Sequence, residues 1–196
     1  MSVRPIRISG DPVLHHRALP VMTWDAPLHE LVDDLVDTMR EAPGVGLAAP
    51  QIGVPLQVFV WGWEDTLGVL HEGAIINPTL QSDPLPRRAL DSDAEVEGCL
   101  SLPDLRYPLR RADRVALAGF DCDQKPVKIE AEGWLARIFQ HEWDHLQGLL
   151  YVDRLPFRTR LGARRDTRRE GWGKPGHSWL PGVDDFEASD HDTEEA

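Results

Sequence analysis

Residues 133–148 read GWLARIFQHEWDHLQG. This stretch predicts the central helix of the fold, and it contains the side chains best suited to chemistry. Apolar residues and histidines recur in it at steps of three and four residues: Trp134, Ile138, His141 and His145. Residues at this spacing share one side of a helix. Gly148 follows as a good helix terminator. The pattern predicts a helix over about 133–147 whose face is too apolar for open solvent.

Within this helix the five residues HEWDH, 141–145, have a spacing that suits metal binding. His141 and His145 lie one turn apart, so both imidazoles can reach one metal ion. Glu142 lies beside them and can handle the proton of a water molecule. An exposed helix with two surface histidines is the alternative. The apolar face favours a metal, because a buried histidine pair needs polar partners and one ion serves both.

Two histidines leave a catalytic site one ligand short, since such sites usually have three protein ligands. No Glu or His downstream falls in the short-spaced HxxGxxH pattern. Upstream, residues 97–103 read EGCLSLP. Cys99, next to Gly98, is well placed to direct a thiolate at a metal from a sheet turn. The alternative is a small buried apolar cysteine.

A third segment, residues 44–53, reads GVGLAAPQIG. Its three glycines allow another chain to approach the backbone closely, and Gln51 offers an amide donor nearby. A phosphate-binding loop is one alternative, but no Gly-Lys-Ser/Thr follows. A plain turn is the other.

The remaining pattern predicts an α+β domain with small antiparallel or mixed β-sheets around a central HExxH helix. Leu28, Leu35 and Met39 belong to an apolar stripe that predicts an N-terminal helix over about 27–41, with Asp25 as its N-cap. Between the two helices lie strand-like runs at 56–61, 69–78, 115–120 and 126–132 and a proline-rich, charged loop at 81–93. Strands and helices do not alternate, which is typical of α+β folds.

Length and composition predict one compact domain over residues 1–157 and an extension over 158–196. The chain has 196 residues and a formal net charge of -12. This balance argues against nonspecific nucleic-acid binding by the whole surface. No apolar run is long enough for a membrane span, and the two cysteines fit a reducing cytoplasm. The extension is arginine-rich and then acidic, and we expect an irregular, partly disordered tail.

The three motifs at 44–53, 97–103 and 140–148 resemble the signature motifs of bacterial-type peptide deformylases, in that family's order and at about its spacing. The similarity runs from Ile6 to Phe157. The resemblance implies that Cys99, His141 and His145 hold one divalent metal ion, with Glu142 as general acid/base. It also implies that Gln51 and the backbone N–H of Leu100 stabilise the oxyanion.

For the substrate, the resemblance and the apolar pattern together suggest a pocket and a path. Val45, Trp134 and Ile138 would wall a pocket for methionine. Gly46 and Gly98 would flank an extended peptide that pairs like an added strand. Arg106 matches an arginine that the family keeps after the cysteine motif. Glu95 stands at a position often apolar in relatives, and we expect it to narrow or polarise the pocket mouth.

The implied activity is hydrolysis of the N-formyl group from the formyl-methionine of new polypeptides, with release of formate. A nitrogen/sulfur ligand set suits iron or zinc, and the resemblance favours Fe²⁺ over Zn²⁺. Two alternatives stay open at this point. One is another HExxH metallohydrolase, such as an endopeptidase, and the other is a binding protein that has lost catalysis.

Arginines crowd into residues 154–169 of an otherwise acidic chain: Arg154, Arg158, Arg160, Arg164, Arg165, Arg168 and Arg169. One interpretation is docking on ribosomal RNA, because arginine pairs with phosphate bidentately. The alternative is a solvated segment whose arginines pair with the acidic terminus from Asp184 onward. We expect nascent formyl-Met peptides as partners, and neither a membrane nor specific DNA.

Overall fold

A computed structural model describes residues 2–184 of the chain. Within that range the helices are α1 (Ala26–Glu41), α2 (Gly133–Leu146) and α3 (Phe157–Arg169). The strands are β1 (Ile6–Arg7), β2 (Gly46–Ala48), β3 (Val58–Glu64), β4 (Leu70–Ser82), β5 (Val96–Cys99), β6 (Leu102–Pro108), β7 (Arg114–Phe120), β8 (Pro126–Glu132) and β9 (Ser178–Trp179). The α+β prediction is confirmed.

The strands form three antiparallel sheets in the described part of the chain. The largest has the order β2-β3-β4-β7-β8, and two small sheets pair β5 with β6 and β1 with β9. The sequence pattern located β3, β4, β7 and β8 to within a few residues. It did not identify β1, β2, β5 and β9, because strands of two to four residues are too short to show a periodicity. It also missed β6, whose sequence LPDLRYP contains two prolines.

Helix α1 begins where the sequence predicts. The Asp25 side chain accepts a hydrogen bond from the Leu28 backbone N–H, which is the expected N-cap contact. Leu28, Leu35 and Met39 are buried on the face that packs against the apolar core beneath β3. This packing holds β2 and β3 in place from one side of the large sheet.

Helix α2 packs against the large sheet through aromatic side chains. The Trp61 ring meets the Phe139 ring edge-on with centroids 5.0 Å apart, and Phe59 lies 6.1 Å from Phe139. Phe59 and Phe139 are fully buried. Such pairs stabilise beyond the area that they bury. Gly148 follows the helix with φ +74°, a conformation that favours glycine.

The expectation of an irregular C-terminal tail is wrong for residues 157–169, which form α3, whereas residues 170–184 are irregular apart from the two-residue β9. Arginine is a good helix former, and α3 needs little buried surface, since Ala163 is its one buried residue. Asp166 of α3 accepts a 2.6 Å hydrogen bond from the Tyr107 hydroxyl. The chain then returns to the N-terminus, where Trp179 pairs with Ile6.

Residues 185–196, where we expected a disordered acidic end, lie outside the described residues. The division at residue 157 into a catalytic domain and an extension stays a prediction. Among residues 2–184 we find no helix with the length and apolar character of a membrane span.

Candidate metal centre

A cavity of about 530 Å³ lies between β5, the start of α2 and the segment that leads into β2. The residues that the sequence placed at the site line it, except His145 and Glu95: Val45, Gly46, Gln51, Gly98, Cys99, Leu100, Arg106, Trp134, Ile138, His141 and Glu142. His145 is buried one turn behind His141. The fold therefore brings the three motifs to one place.

Three possible metal ligands converge at the inner end of this cavity. The Cys99 Sγ lies 3.3 Å from the His145 Nε2, and the two histidine Nε2 atoms are 3.2 Å apart. One ligand atom from each residue lies within 4.8 Å of the other two. Two neutral imidazoles and a thiolate are a ligand set that iron and zinc accept. The described residues thus contain a possible Cys/His/His metal site.

The Glu97 carboxylate orients His141 from behind. Its Oε1 lies 2.7 Å from the His141 Nδ1, which leaves the Nε2 of that ring facing Cys99 and His145. Arg111 donates to both Glu97 oxygens, at 2.6 and 3.1 Å, and Arg137 donates to Oε2 at 2.9 Å. A carboxylate on the far nitrogen of a histidine is the usual way in which a metal-binding ring is held.

A chain of ion pairs leads from Arg111 towards the surface. Arg111 Nη1 donates to Asp144 Oδ2 at 2.6 Å, and Arg154 donates to Asp144 Oδ1 at 2.7 Å. Arg154 is itself half-exposed. Each buried charge in this network has an opposite partner, as burial of a charge requires.

Glu142 lies beside the three ligand candidates and has a free oxygen. Its Oε2 is buried and has no hydrogen-bond partner among the described residues. A Cβ on Gly46 would collide with the Glu142 Oε1, so glycine is needed there for β2 to approach the carboxylate. The Glu142 Oε2 is therefore available to accept a hydrogen bond from a water molecule or a ligand.

Gln51 sits in a short 3₁₀ turn, Ala49–Ile52, that directly follows β2. Its Oε1 accepts a 2.8 Å hydrogen bond from the Ala48 N–H. This fixes the amide so that the Nε2 points towards Ser101 Oγ at 3.4 Å and Cys99 Sγ at 3.8 Å. A fixed donor next to Cys99 can bind a developing negative charge.

Burial and the charge network shift the pKa values at the site. Burial raises the pKa of Glu142 to about 7. Burial also opposes the charged form of Glu97, but hydrogen bonds and charges from His141 and Arg111 hold its pKa well below the ordinary range. Burial lowers the pKa of His145 well below 6.5, and a positive His141 adds to that effect. Neutral His145 keeps a lone pair for a metal.

The outer part of the cavity has apolar and strand-like walls. Ile138 is buried, whereas Val45 and Trp134 are partly exposed at 37% and 39%. Gly98 pairs with Arg106 across β5 and β6. Strand β2 lies at an edge of the large sheet. An edge strand beside a cleft can accept an extended peptide.

The expectation for Glu95 is wrong. Glu95 does not line this cavity; it is buried on the other side of Arg137, in ion pairs with Arg88 and Arg110. Its negative charge is stable there because of these arginines, and the same arginines turn it away from the pocket mouth.

Several residues of the site were not singled out from the sequence. Arg111 and Arg137 hold Glu97, and Trp179 lines the cavity and donates from its indole Nε1 to the Leu100 carbonyl at 2.9 Å. The helical spacing of α2 could have identified Arg137, because a residue four positions before His141 lies on the same side of the helix. No local signal marks Trp179, because its place depends on the pairing of β9 with β1.

Comparison with known proteins gives one consistent result. Residues 3–160 match the model of a family described as polypeptide deformylase. The chain is 46% identical over 189 residues to a peptide deformylase of Mycolicibacterium paratuberculosis, covering 93% of this chain and 96% of the relative. It is 44% identical over 187 residues to one of Rhodococcus opacus, covering 93% and 95%. The similarity therefore extends past residue 157.

Solved structures give the same match. The fold is similar to a peptide deformylase from Legionella pneumophila, with TM-score 0.72, 38% identity and coverage of 87% of this chain and 96% of the other. It is also similar to one from Thermus thermophilus, with TM-score 0.71, 38% identity and coverage of 86% and 95%. A third, from Synechococcus elongatus in complex with actinonin, has TM-score 0.71, 34% identity and coverage of 85% of both chains.

Replacing Glu97 with glutamine tests the charge network. Glu97→Gln leaves Arg111 and Arg137 without their shared counter-charge, and we expect a loss of about 3 kcal/mol or more in the free energy of unfolding. Chemical denaturation measures it. The control is Glu132→Gln, at an ion pair with Arg114 in which both side chains are more than 70% exposed; we expect no measurable change there. Equal stabilities of the two variants would contradict the role of Glu97.

Proposed function

The chain belongs to the peptide deformylase family, and on that premise we propose that Cys99, His141 and His145 hold the one divalent metal ion with which it works. Peptide deformylases remove the N-formyl group from new polypeptides, and this chain is such a hydrolase. Its substrate is the N-terminal formyl-methionine, and its products are formate and a peptide with a free amino terminus. The HExxH segment of α2 is then the centre of the catalytic site.

One observation carries the metal assignment: the Cys99 Sγ and the two histidine Nε2 atoms converge to within 4.8 Å in a buried site. The two Nε2 atoms are 3.2 Å apart, a contact that one N–H can satisfy in the metal-free protein, whereas a metal ion would bind both lone pairs and the thiolate together. The residues therefore fit a metal ion. When bound, a divalent ion with three protein ligands keeps an open position and acidifies water there.

Glu142 is the general acid/base of this proposal. Its unpartnered Oε2 faces the site, and burial places its pKa at about 7, where a carboxyl both takes and returns a proton readily. It accepts a proton from the attacking water. It then donates that proton to the amine nitrogen as the bond to the formyl carbon breaks.

Gln51 and Leu100 supply hydrogen bonds to the formyl oxygen. The Gln51 amide is held by Ala48, so this donor is fixed before the substrate arrives, and the Trp179 indole donates to the Leu100 carbonyl, in the peptide group that follows the Leu100 N–H. Each donor of this kind is typically worth about 3 kcal/mol in the transition state. Fixed donors do not have to reorganise when the charge develops.

Substrate selection rests on the cavity walls and on strand pairing. Val45, Trp134 and Ile138 enclose the methionine side chain in an apolar environment. The peptide that follows lies extended beside Gly46 and Gly98. Backbone pairing of this kind is insensitive to most side chains, as an enzyme that serves most nascent chains requires. Arg106, exposed beside Gly98, flanks the path of the peptide.

Replacing a ligand and replacing the base should separate their roles. We expect Cys99→Ala to lose tight metal binding, since it removes one of three ligands. We expect Glu142→Ala to keep the metal and to lose turnover of formyl-Met-Ala-Ser by about 100-fold or more. Metal analysis and the formate released measure the two effects. Cys122→Ala, at the only other cysteine, is the control and should change neither. Normal turnover in a metallated Glu142→Ala variant would remove Glu142 from the mechanism.

For the metal itself we propose Fe²⁺ rather than Zn²⁺. Iron and zinc both accept a mixed nitrogen/sulfur site, and relatives commonly use iron. We expect apo-protein reconstituted anaerobically with Fe²⁺, Ni²⁺ or Co²⁺ to hydrolyse formyl-Met-Ala-Ser faster than protein reconstituted with Zn²⁺. Metal content of the protein purified without oxygen, followed by this series, is the measurement. Equal rates with all four ions would contradict the proposal.

We further propose that the enzyme works in the cytoplasm and contacts the ribosome through residues 154–169. Helix α3 presents Arg158, Arg164, Arg165, Arg168 and Arg169 on exposed positions. In the described range, Arg154 pairs with Asp144, and Arg165 lies 3.8 Å from Asp166. The remaining exposed arginines form a basic surface suited to RNA phosphate. The catalytic unit of the proposal is residues 1–157, with the extension 158–196 attached to it.

Deleting the extension is not a clean test of docking, because it would also remove the buried Trp179. We expect the triple variant Arg158→Ala, Arg164→Ala and Arg168→Ala to co-sediment more weakly with ribosomes at low salt, because phosphate contacts are lost. Its hydrolysis of a short formyl-peptide should not change. The control variant, with alanine at the exposed Arg40, Arg87 and Arg114, has the same net charge. Equal sedimentation of both variants would exclude docking through α3.

A further inference from the structure

A second cavity lies next to the proposed substrate cavity. It has a volume of about 440 Å³ and lies between the loop at residues 88–95 and the start of α2. Trp134 and Arg137 line both cavities, and no other residue does so within the described range. Glu97 lines the substrate cavity, and Glu95 lines the second one. The pair Trp134 and Arg137 therefore forms the wall between the two spaces.

Arg137 is held tightly in this wall. Its Nη1 donates to Glu97 Oε2 at 2.9 Å and to the Leu109 carbonyl at 2.8 Å, and its Nη2 lies 3.9 Å from Glu95 Oε1. Its guanidinium lies 5.9 Å from the centre of the Trp134 ring. The side chain is 10% exposed. Acceptors on several sides fix the arginine between the two glutamates.

We propose that Arg137 is a specificity-determining residue: it closes the methionine pocket and limits the N-terminal side chain to about the length of methionine. The inference rests on the proposed function, in which Trp134 and Ile138 wall that pocket. Ile138 follows Arg137 directly and is buried. The Nη1 group donates to Glu97 and Leu109, and the weakly hydrated plane of the guanidinium can lie against an apolar side chain.

A longer side chain would have to displace this wall. Moving Arg137 breaks its hydrogen bond to Glu97 and its contact with Glu95, and a buried charge separated from its partners is strongly unfavourable. Beyond the wall lies the second cavity, which the longer side chain could otherwise enter. The limit on length therefore comes from an electrostatic constraint, and removing the arginine should lift it.

The test compares two peptides, formyl-Met-Ala-Ser and the same peptide with 2-aminooctanoic acid in place of methionine. The second side chain is two atoms longer and apolar. We expect the wild type to reject it by a factor of about 10 to 200 in kcat/KM, the usual effect of a poor fit of one or two methylene groups. In Arg137→Ala we expect the ratio of the two kcat/KM values to shift towards the longer peptide by at least about tenfold.

Arg110→Ala is the matched control. Arg110 also faces Glu95, at 3.7 Å, but lines neither cavity. It should leave the ratio unchanged. If Arg137→Ala fails to fold, Arg137→Met keeps the stem without the charge and should shift the ratio in the same direction. Glu97 keeps Arg111 and His141 in both variants, so the metal content should stay at one ion per chain.

Binding gives a second readout that does not depend on turnover. In a Glu142→Ala background, calorimetry measures the Kd of each uncleaved peptide with and without Arg137→Ala, and the same shift is expected. A wild type that accepts both peptides equally, or a folded variant with the wild-type ratio, would overturn the role of Arg137. A wild type that hydrolyses neither peptide would instead contradict the proposed function.

Discussion

The rest of the site depends on the hydrogen bonds that the buried Glu97 carboxylate accepts. It accepts them from Arg111, Arg137 and His141, and these residues come from the connection before β7 and from two successive turns of α2. A charge removed from water is stable only with such partners. Because all three reach one carboxylate, these contacts fix β5, α2 and the chain before β7 relative to one another. The orientation of the His141 ring follows from them.

That arrangement leaves Glu142 in a different environment from Glu97, although the two carboxylates share the site. Glu97 is surrounded by positive groups, which hold its pKa well below the ordinary range, whereas burial, together with the nearby Glu97 charge, raises the pKa of Glu142 to about 7. One carboxylate is therefore a permanent charge that positions a ring, and the other can exchange a proton. The close approach of Gly46 completes this division, because a larger residue would displace the Glu142 carboxylate.

Two further contacts fix the outer part of the site. One is the wall formed by Trp134 and Arg137, and the other joins Trp179 to Leu100. Arg137 uses Glu97 as an acceptor, so the residue that bounds the substrate cavity and the residue that orients His141 share one hydrogen-bonded group. Trp179 reaches the Leu100 carbonyl from the far end of the chain, 79 residues away. In the proposed function, substrate fit and catalytic geometry are therefore coupled through few contacts.

The sequence by itself determined what depends on local spacing. The four-residue step between His141 and His145, the cap at Asp25 and the apolar stripes predicted α1 and α2, and longer alternating runs predicted β3, β4, β7 and β8. The three motifs also predicted which residues would meet. Tertiary structure decided the rest: the position of Glu95 away from the pocket, the partners of Glu97 and the return of Trp179. These depend on pairings between residues far apart in the chain, such as Ile6 with Trp179, and a periodicity read along one segment contains no information about which distant segment will neutralise its charge or cover its apolar face.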